Sequence, residues 1–123
     1  MELNDITGQI IDASMKVHTV LGPGLLESAY EACLSHELRK RGMSVVVQLS
    51  LPVKYDGVEL DAGYRIDLLV EDRVIVELKA VEKTTPLHEA QLLSYLKLSN
   101  KKVGLLINFN VPRMKDGVKR MVN

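Results

Sequence analysis

RIDLLVEDRVIVELKA, at residues 65–80, has the clearest periodicity in the chain. Apolar side chains alternate with others in both halves, and the charged run at residues 71–73 separates them, so we predict two strands joined by a tight turn. Pairing Val70 with Val74 then gives one continuous apolar face, because a slip of one residue would mix the two faces. The members of that face are Ile66, Leu68, Val70, Val74, Val76 and Leu78.

The same pairing places two carboxylates on the opposite face of the hairpin. Asp67 lies across from Glu77, and Lys79 follows two residues further along the second strand. Opposed carboxylates repel each other at neutral pH, so they need a cation, a shared proton or a nearby ammonium group. A divalent cation suits such hard oxygen ligands. The alternative is that all three are solvated surface charges, with Lys79 as an ordinary cross-strand partner.

Helical and strand patterns alternate on either side of this hairpin, which predicts one α/β domain with a mixed sheet over residues 1–123. Gly22-Pro23-Gly24 separates the first two helices, and Asp56-Gly57 is typical of a hairpin turn. The predicted helices cover residues 3–20, 25–41 and 86–99, with a short basic helix after Pro112. The predicted strands cover residues 45–47, 51–55, 64–70, 74–80 and 103–109.

Composition and charge restrict the classes of partner. Sixteen basic residues balance sixteen acidic ones, which argues against strong non-specific binding to phosphates. No segment approaches the roughly 20 apolar residues of a membrane span, and the acidic N-terminus lacks the features of a signal peptide. We therefore expect a cytoplasmic protein without a membrane partner. The single cysteine, Cys33, excludes an internal disulfide, and we predict that it is a small buried helix residue.

Further polar side chains share helical faces and are candidates for the same site. They are Glu27 and Tyr30 after the Gly-Pro-Gly break, His18 before it, and His88, Gln91 and Tyr95 on the helix that begins at Pro86. Each also has an ordinary structural interpretation. Glu27 complements the helix dipole in the first turn, Tyr30 packs with a solvated hydroxyl, and His18 lies at a helix end.

GLLESAY, at residues 24–30, matches the pattern that gives the GxxExxY family its name. The chain resembles that family of small bacterial and archaeal proteins over nearly its whole length. The other matching runs are residues 65–70, 76–82, 88–96 and 103–109. The family is placed in the PD-(D/E)XK nuclease superfamily, so the resemblance implies a restriction-endonuclease-like core, with a central four-stranded mixed sheet flanked by helices.

The resemblance also implies roles for individual residues. Asp67 resembles the superfamily's metal-binding aspartate, and Ile66 stands where the superfamily's name has proline. Gln91 and Tyr95 resemble the Gln-x-x-x-Tyr element of the RecB-like exonucleases. The implied catalytic residues are Asp67, Glu77, Lys79, Glu27 and Gln91, with Tyr30, Tyr95 and His18 in support. The implied ligands of Mg²⁺ or Mn²⁺ are Asp67, Glu77 and the backbone carbonyl of Leu78, with Glu27 as a further candidate.

The function implied by the resemblance is a magnesium-dependent nuclease that hydrolyses phosphodiester bonds, with nucleic acid as its partner and DNA favoured over RNA. The alternative is a catalytically silent module of the same fold that binds a protein or nucleic-acid partner. A homodimer is a further alternative. Four basic residues near the C-terminus either follow a nucleic-acid backbone or form a solvated helix end. They are Arg113, Lys115, Lys119 and Arg120.

Overall fold

Three α-helices, one short 3₁₀ helix and two sheets make up the protein, and the computed structural model describes all of residues 1–123. The helices are α1 (Leu3–Leu21), α2 (Glu27–Lys40) and α3 (Pro86–Ser99). The strands are β1 (Val45–Ser50), β2 (Val53–Tyr55), β3 (Val58–Leu60), β4 (Arg65–Val70), β5 (Val74–Lys79), β6 (Val103–Asn108) and β7 (Val118–Val122). None of the helices combines the length and the apolar character that crossing a membrane requires.

A mixed sheet of five strands, in the order β1-β4-β5-β6-β7, forms the centre of the fold. The β5–β6 pair is parallel and the other neighbours are antiparallel. Parallel neighbours need a long crossover, and α3 supplies it between β5 and β6. β2 and β3 form a separate hairpin. This architecture confirms the predicted α/β class with a mixed sheet.

Helices cover both faces of the sheet, and each face has its own apolar cluster. α1 and α2 pack on one face, where the larger cluster includes Leu68, Val76 and Leu78. α3 packs on the other face, where the smaller cluster includes Leu69 and Ile75. Since side chains alternate between the faces of a strand, Glu77 and Lys79, which follow Ile75 at intervals of two residues on β5, belong to the α3 face. Burial on both sides of β5 thus fixes which way Glu77 and Lys79 face.

The predicted short helix after Pro112 is a single 3₁₀ turn, Met114–Gly117, and the sheet has one strand more than the predicted four, because residues 118–122 form β7. β7 pairs with β6 from Ile107↔Val118 to Val103↔Val122. Basic side chains are common on edge strands, where they discourage pairing with other chains. The spacing of these lysines and arginines therefore reflects an edge strand, which only the pairing with β6 reveals.

Two expectations about buried residues are wrong. Cys33 is exposed, because α2 buries Tyr30, Leu34 and Leu38 at intervals of four residues. Ile66 packs in the α3-side cluster and not with Leu68. The regular alternation of β4 therefore ends at Asp67. Pairing with β5 stops at Leu68, whereas pairing with β1 skips Asp67 and resumes at Ile66.

Candidate active site

The antiparallel ladder between β4 and β5 runs in the predicted register from Val70↔Val74 to Leu68↔Val76 and then stops. Beyond that point, side chains replace the ladder bonds. The Asp67 N–H donates to Glu77 Oε1 at 3.2 Å, and the Leu78 N–H donates to Asp67 Oδ2 at 2.8 Å. The two carboxylates therefore lie together in the gap between the diverging strands, each bonded to the backbone of the other strand.

The Leu78 backbone faces the same gap. A strand residue directs its N–H and its C=O to the same neighbouring strand, and the Leu78 N–H points to Asp67. The adjacent carbonyl, that of Lys79, accepts from the Phe109 N–H on the opposite edge at 2.9 Å. The Leu78 carbonyl therefore lies on the β4 side, where the ladder has already ended.

Glu77 is the buried acid of the pair, with 5% of its surface exposed. Burial, and secondly the charge of Asp67, raise the pKa of Glu77 to about 8, although Lys79 and the Asp67 N–H act in the opposite direction. Without a cation, the site at neutral pH therefore favours a proton on Glu77. A bound cation would replace that proton and offset the charges of the two carboxylates.

α2 brings two more carboxylates to the site. Burial and the negative charge of Asp67 raise the pKa of Glu27, while Lys79 lowers it. Burial raises the pKa of Glu31, and Asp67 adds to this effect. The charges of Glu27, Glu31 and Asp67 therefore act on one another.

Contacts of Tyr30 connect the loop before α2 to the core and so position Glu27. The Tyr30 hydroxyl donates to the Gly22 carbonyl at 2.6 Å and accepts from the Leu25 N–H at 3.1 Å. Its ring stacks on Phe109 with 4.5 Å between the ring centroids. Tyr30 is fully buried, so its contacts fix the loop that leads into the first turn of α2.

Gln48 and Glu31 are site residues that the sequence analysis missed. The Gln48 amide Nε2 donates to Glu31 Oε2 at 2.6 Å and to Asp67 Oδ1 at 3.0 Å. Gln48 has a φ of +53°, and it does not pair with Asp67 although their neighbours on β1 and β4 do. Glu31 lies four residues after Glu27, so the two share a face of the helix, and this spacing could have identified Glu31 from the sequence. Gln48 could have been found only by pairing β1 with β4.

Lys79 connects the acidic gap to a cavity of about 680 Å³ beneath α3. Gln91 and Tyr95 line this cavity together with Lys79. Burial and then the charge of Glu77 raise the pKa of Tyr95, which places its hydroxyl in the field of the carboxylates. Helical spacing thus brings Gln91 and Tyr95 to the same cavity as the lysine.

His18 and two of the basic C-terminal residues, Arg113 and Lys119, have other partners. His18 Nε2 lies 2.7 Å from the Val111 carbonyl, which ties α1 to the segment before β7. Arg113 forms a salt bridge with Asp116 at 3.5 Å, and Lys119 forms one with Glu89 at 2.7 Å. These contacts are structural, and none of them involves Asp67 or Glu77.

The donor atoms fit a hard divalent cation. Two carboxylates and a strand-edge carbonyl are the oxygen ligands that Mg²⁺ and Mn²⁺ prefer. No group of three or more histidine, cysteine, aspartate or glutamate side chains is arranged to hold a metal ion. Asp67 and Glu77 would thus hold such an ion together with the Leu78 carbonyl and water, and Glu27 lies close enough to Asp67 for their charges to interact.

Comparison with protein families gives one match. The family model described as PD-(D/E)XK nuclease superfamily matches residues 4–121, which is nearly the whole chain. No match was found among curated proteins or among solved structures. The five-stranded mixed sheet with three flanking helices is consistent with the fold of that superfamily.

Proposed function

Because the chain belongs to the PD-(D/E)XK nuclease superfamily, we propose that it hydrolyses phosphodiester bonds of nucleic acid with the help of a divalent cation. One observation carries the proposal. Asp67 and Glu77 accept hydrogen bonds from each other's strands at the open end of β4 and β5, and Lys79, two residues after Glu77, lines the neighbouring cavity. Two carboxylates that can bind a cation therefore lie next to an ammonium group that can bind a phosphate.

The cation would be held by Asp67, Glu77 and the Leu78 carbonyl, and Mg²⁺ or Mn²⁺ suits these ligands. When bound, such a cation neutralises charge on a phosphate and lowers the pKa of a water molecule. The β4–β5 gap holds the acids in position, because each accepts a backbone N–H from the other strand. Glu27 is the next acid outward and can accept a hydrogen bond from water at the site.

Lys79 supplies positive charge where the phosphate gains negative charge. Its ammonium group forms no salt bridge with any acid, so it is available to a phosphate oxygen. A charge held in place before the reaction stabilises the transition state without the cost of reorganising solvent. The Gln91 amide, which lines the same cavity, would orient the phosphate.

Cleavage of a substrate panel by wild type and Lys79→Ala tests the proposal. The panel contains single- and double-stranded DNA and RNA, with Mg²⁺ or Mn²⁺ present. We expect Lys79→Ala to keep its fold and to lose a factor of about 10²–10³ in rate, as when one preorganised charge is removed. Lys83→Ala is the matched control, since Lys83 is an exposed lysine outside the cavity lining, and it should cleave like wild type.

Two outcomes would overturn the proposal. A wild-type protein that is inert on the whole panel would favour the silent binding module, and a search for a protein partner would follow. Cleavage that persists unchanged in Lys79→Ala would indicate a contaminating nuclease and not this site.

Finer assignments are also proposals. The runs at residues 24–30 and 88–96 support membership of the GxxExxY family within the superfamily. DNA as the favoured substrate, a homodimer and a cytoplasmic location stay predictions from the sequence. The substrate panel tests the first of these directly, since it contains DNA and RNA of both strand types.

A further inference from the structure

The cavity beneath α3 is more apolar than phosphate binding requires. Its apolar lining consists of Val53, Tyr64, Leu87, Ala90, Tyr95 and Leu98. Its polar lining consists of Lys79, His88, Gln91 and Ser94. A phosphate needs only the second set, so the apolar wall indicates a ligand that has a flat apolar part next to its anionic part.

Tyr64 provides an aromatic surface at the mouth of this cavity. Its ring meets Tyr95 edge to face, with 5.9 Å between the centroids and 62° between the planes. Tyr95 is almost fully buried, whereas Tyr64 is 43% exposed. An edge-to-face pair leaves ring surface open, and a backbone hydrogen bond from the Leu51 N–H to the Tyr64 carbonyl at 3.0 Å holds the segment in place.

The polar groups on α3 are arranged for the edge of a heterocycle. His88, Gln91 and Ser94 follow at three-residue intervals, so they lie along one side of the helix. The Thr85 N–H donates to His88 Nδ1 at 3.1 Å, which leaves Nε2 of the neutral ring as a donor. An amide, a hydroxyl and an imidazole together offer both donors and acceptors, as the edges of bases require.

We propose that this cavity is a nucleobase subsite, in which an unpaired base stacks on Tyr64 while its phosphate lies at Lys79. The proposal rests on the proposed nuclease function and extends it to a substrate class, namely single-stranded nucleic acid or unpaired ends. A base inside a duplex is stacked on both faces and paired along its edge, so it cannot enter such a cavity. The volume of about 680 Å³ falls in the range of about 300–1,000 Å³ that is typical of small-molecule pockets.

The net charge supports a subsite of this kind. With sixteen basic and sixteen acidic residues, the net charge of the protein adds little to its affinity for phosphates. Stacking of a base on an aromatic side chain adds affinity for every base type, because each base has a flat π-face. In a protein without net charge, base stacking should therefore supply a larger share of the affinity for nucleic acid than it does in a basic nuclease.

Equilibrium binding in an Asp67→Asn background tests the subsite without cleavage. This change removes one charge and keeps an oxygen acceptor for the Leu78 N–H. The probes are a fluorescein-labelled oligothymidylate, the same backbone without bases, and a duplex of the same length, followed by fluorescence anisotropy. Tyr64→Ala should raise the Kd for the oligothymidylate about tenfold, which corresponds to loss of one stacked base. Its affinity for the other two probes should not change.

Two further variants keep the result interpretable. Tyr55→Ala is the matched control, because Tyr55 is a more exposed tyrosine, at 72%, on β2 and outside the cavity lining. It should bind all three probes like the background protein. Tyr64→Phe keeps the ring and should keep the affinity. Circular dichroism melting of each variant shows whether the fold is intact.

The outcomes separate the subsite from the nuclease. Equal binding of the oligothymidylate and the base-free backbone, or an unchanged Kd in Tyr64→Ala, would overturn the subsite even if wild type cleaves nucleic acid. Failure to bind any probe would overturn it as well. Base-dependent binding that requires the Tyr64 ring, in a protein that cleaves nothing, would support the subsite and refute the proposed nuclease function.

Discussion

Glu77 combines deep burial with a charged neighbour, and its ionisation is therefore linked to folding. Its pKa is about 8 in the folded protein against an ordinary value of 4.5. The folded state then binds more protons than the unfolded state between these two values. By linkage, the free energy of unfolding of the metal-free protein should fall as the pH rises from about 4.5 to about 8, and should level off above.

We expect Glu77→Gln to remove most of this pH dependence. The neutral amide keeps an oxygen acceptor for the Asp67 N–H but does not ionise. With EDTA present, the wild type should lose on the order of 2–4 kcal/mol between pH 5 and pH 8, since one pKa unit is worth about 1.4 kcal/mol. Urea unfolding across this range measures the change. Glu82→Gln, at an exposed glutamate, should keep the wild-type slope, and an identical slope in Glu77→Gln would contradict the assigned pKa.

Alternation within one hairpin predicted that Asp67, Glu77 and Lys79 share a face, but β4 is irregular around Asp67, since Ile66 packs on the α3 side. It could not predict the contacts between the acids, because those depend on where the ladder stops. The positive φ of Gln48 and its unpaired position opposite Asp67 arise from tertiary packing. For the same reason Ile66 was assigned to the wrong cluster.

At the scale of secondary-structure elements, the approach of α3 to the sheet depends on Gly104. A Cβ added there would lie 2.8 Å from Leu92 Cδ1, which is closer than real contacts allow. We expect Gly104→Ala to cost about 1–3 kcal/mol of unfolding free energy, because the added methyl overpacks the α3-side cluster.

Gly8→Ala is the control for this effect. Gly8 lies within α1, and an added Cβ would meet no atom within 4 Å. It should gain up to about 1 kcal/mol from helix propensity. Urea unfolding of both variants measures the difference. A Gly104→Ala protein as stable as wild type would mean that Leu92 moves aside without cost.

The strongest local signals gave the correct elements. The predicted helix at residues 86–99 and the break at residues 22–24 match the observed limits of α3 and α1, and Thr85 caps the N-terminus of α3. β7 was not predicted, since an edge strand of five residues with two basic side chains has no local pattern of its own. Its identity depends on the register with β6.

At the scale of the whole molecule, a cation that binds only the folded site should stabilise the entire domain. At a concentration about 100 times the dissociation constant, the gain is about 2.7 kcal/mol. For a domain of this size, that corresponds to a rise on the order of 5–10 °C in Tm. We therefore expect Mg²⁺ or Mn²⁺ to raise the Tm of wild type, as measured by circular dichroism or calorimetry.

Asp67→Asn should lose this response. Without metal its stability should stay close to that of wild type, because the Leu78 N–H keeps an oxygen acceptor and only the hydrogen bond from Gln48 Nε2 is lost. A wild-type melting curve that is indifferent to millimolar divalent ions would argue for a site that works without metal. A response that persists in Asp67→Asn would place the cation elsewhere.

The hydrogen bonds that Asp67 and Glu77 accept from each other's strands have a consequence for the descent of this protein. Each acid closes a sheet that would otherwise end in unpaired amides, so a descendant that no longer cut nucleic acid would still need an acceptor at both positions. The Lys79 side chain has no comparable structural role, because its ammonium group has no salt-bridge partner. Once cleavage was no longer under selection, substitutions of Lys79 would be tolerated before substitutions of the two acids. In an inactive lineage we therefore expect the acids to outlast the lysine.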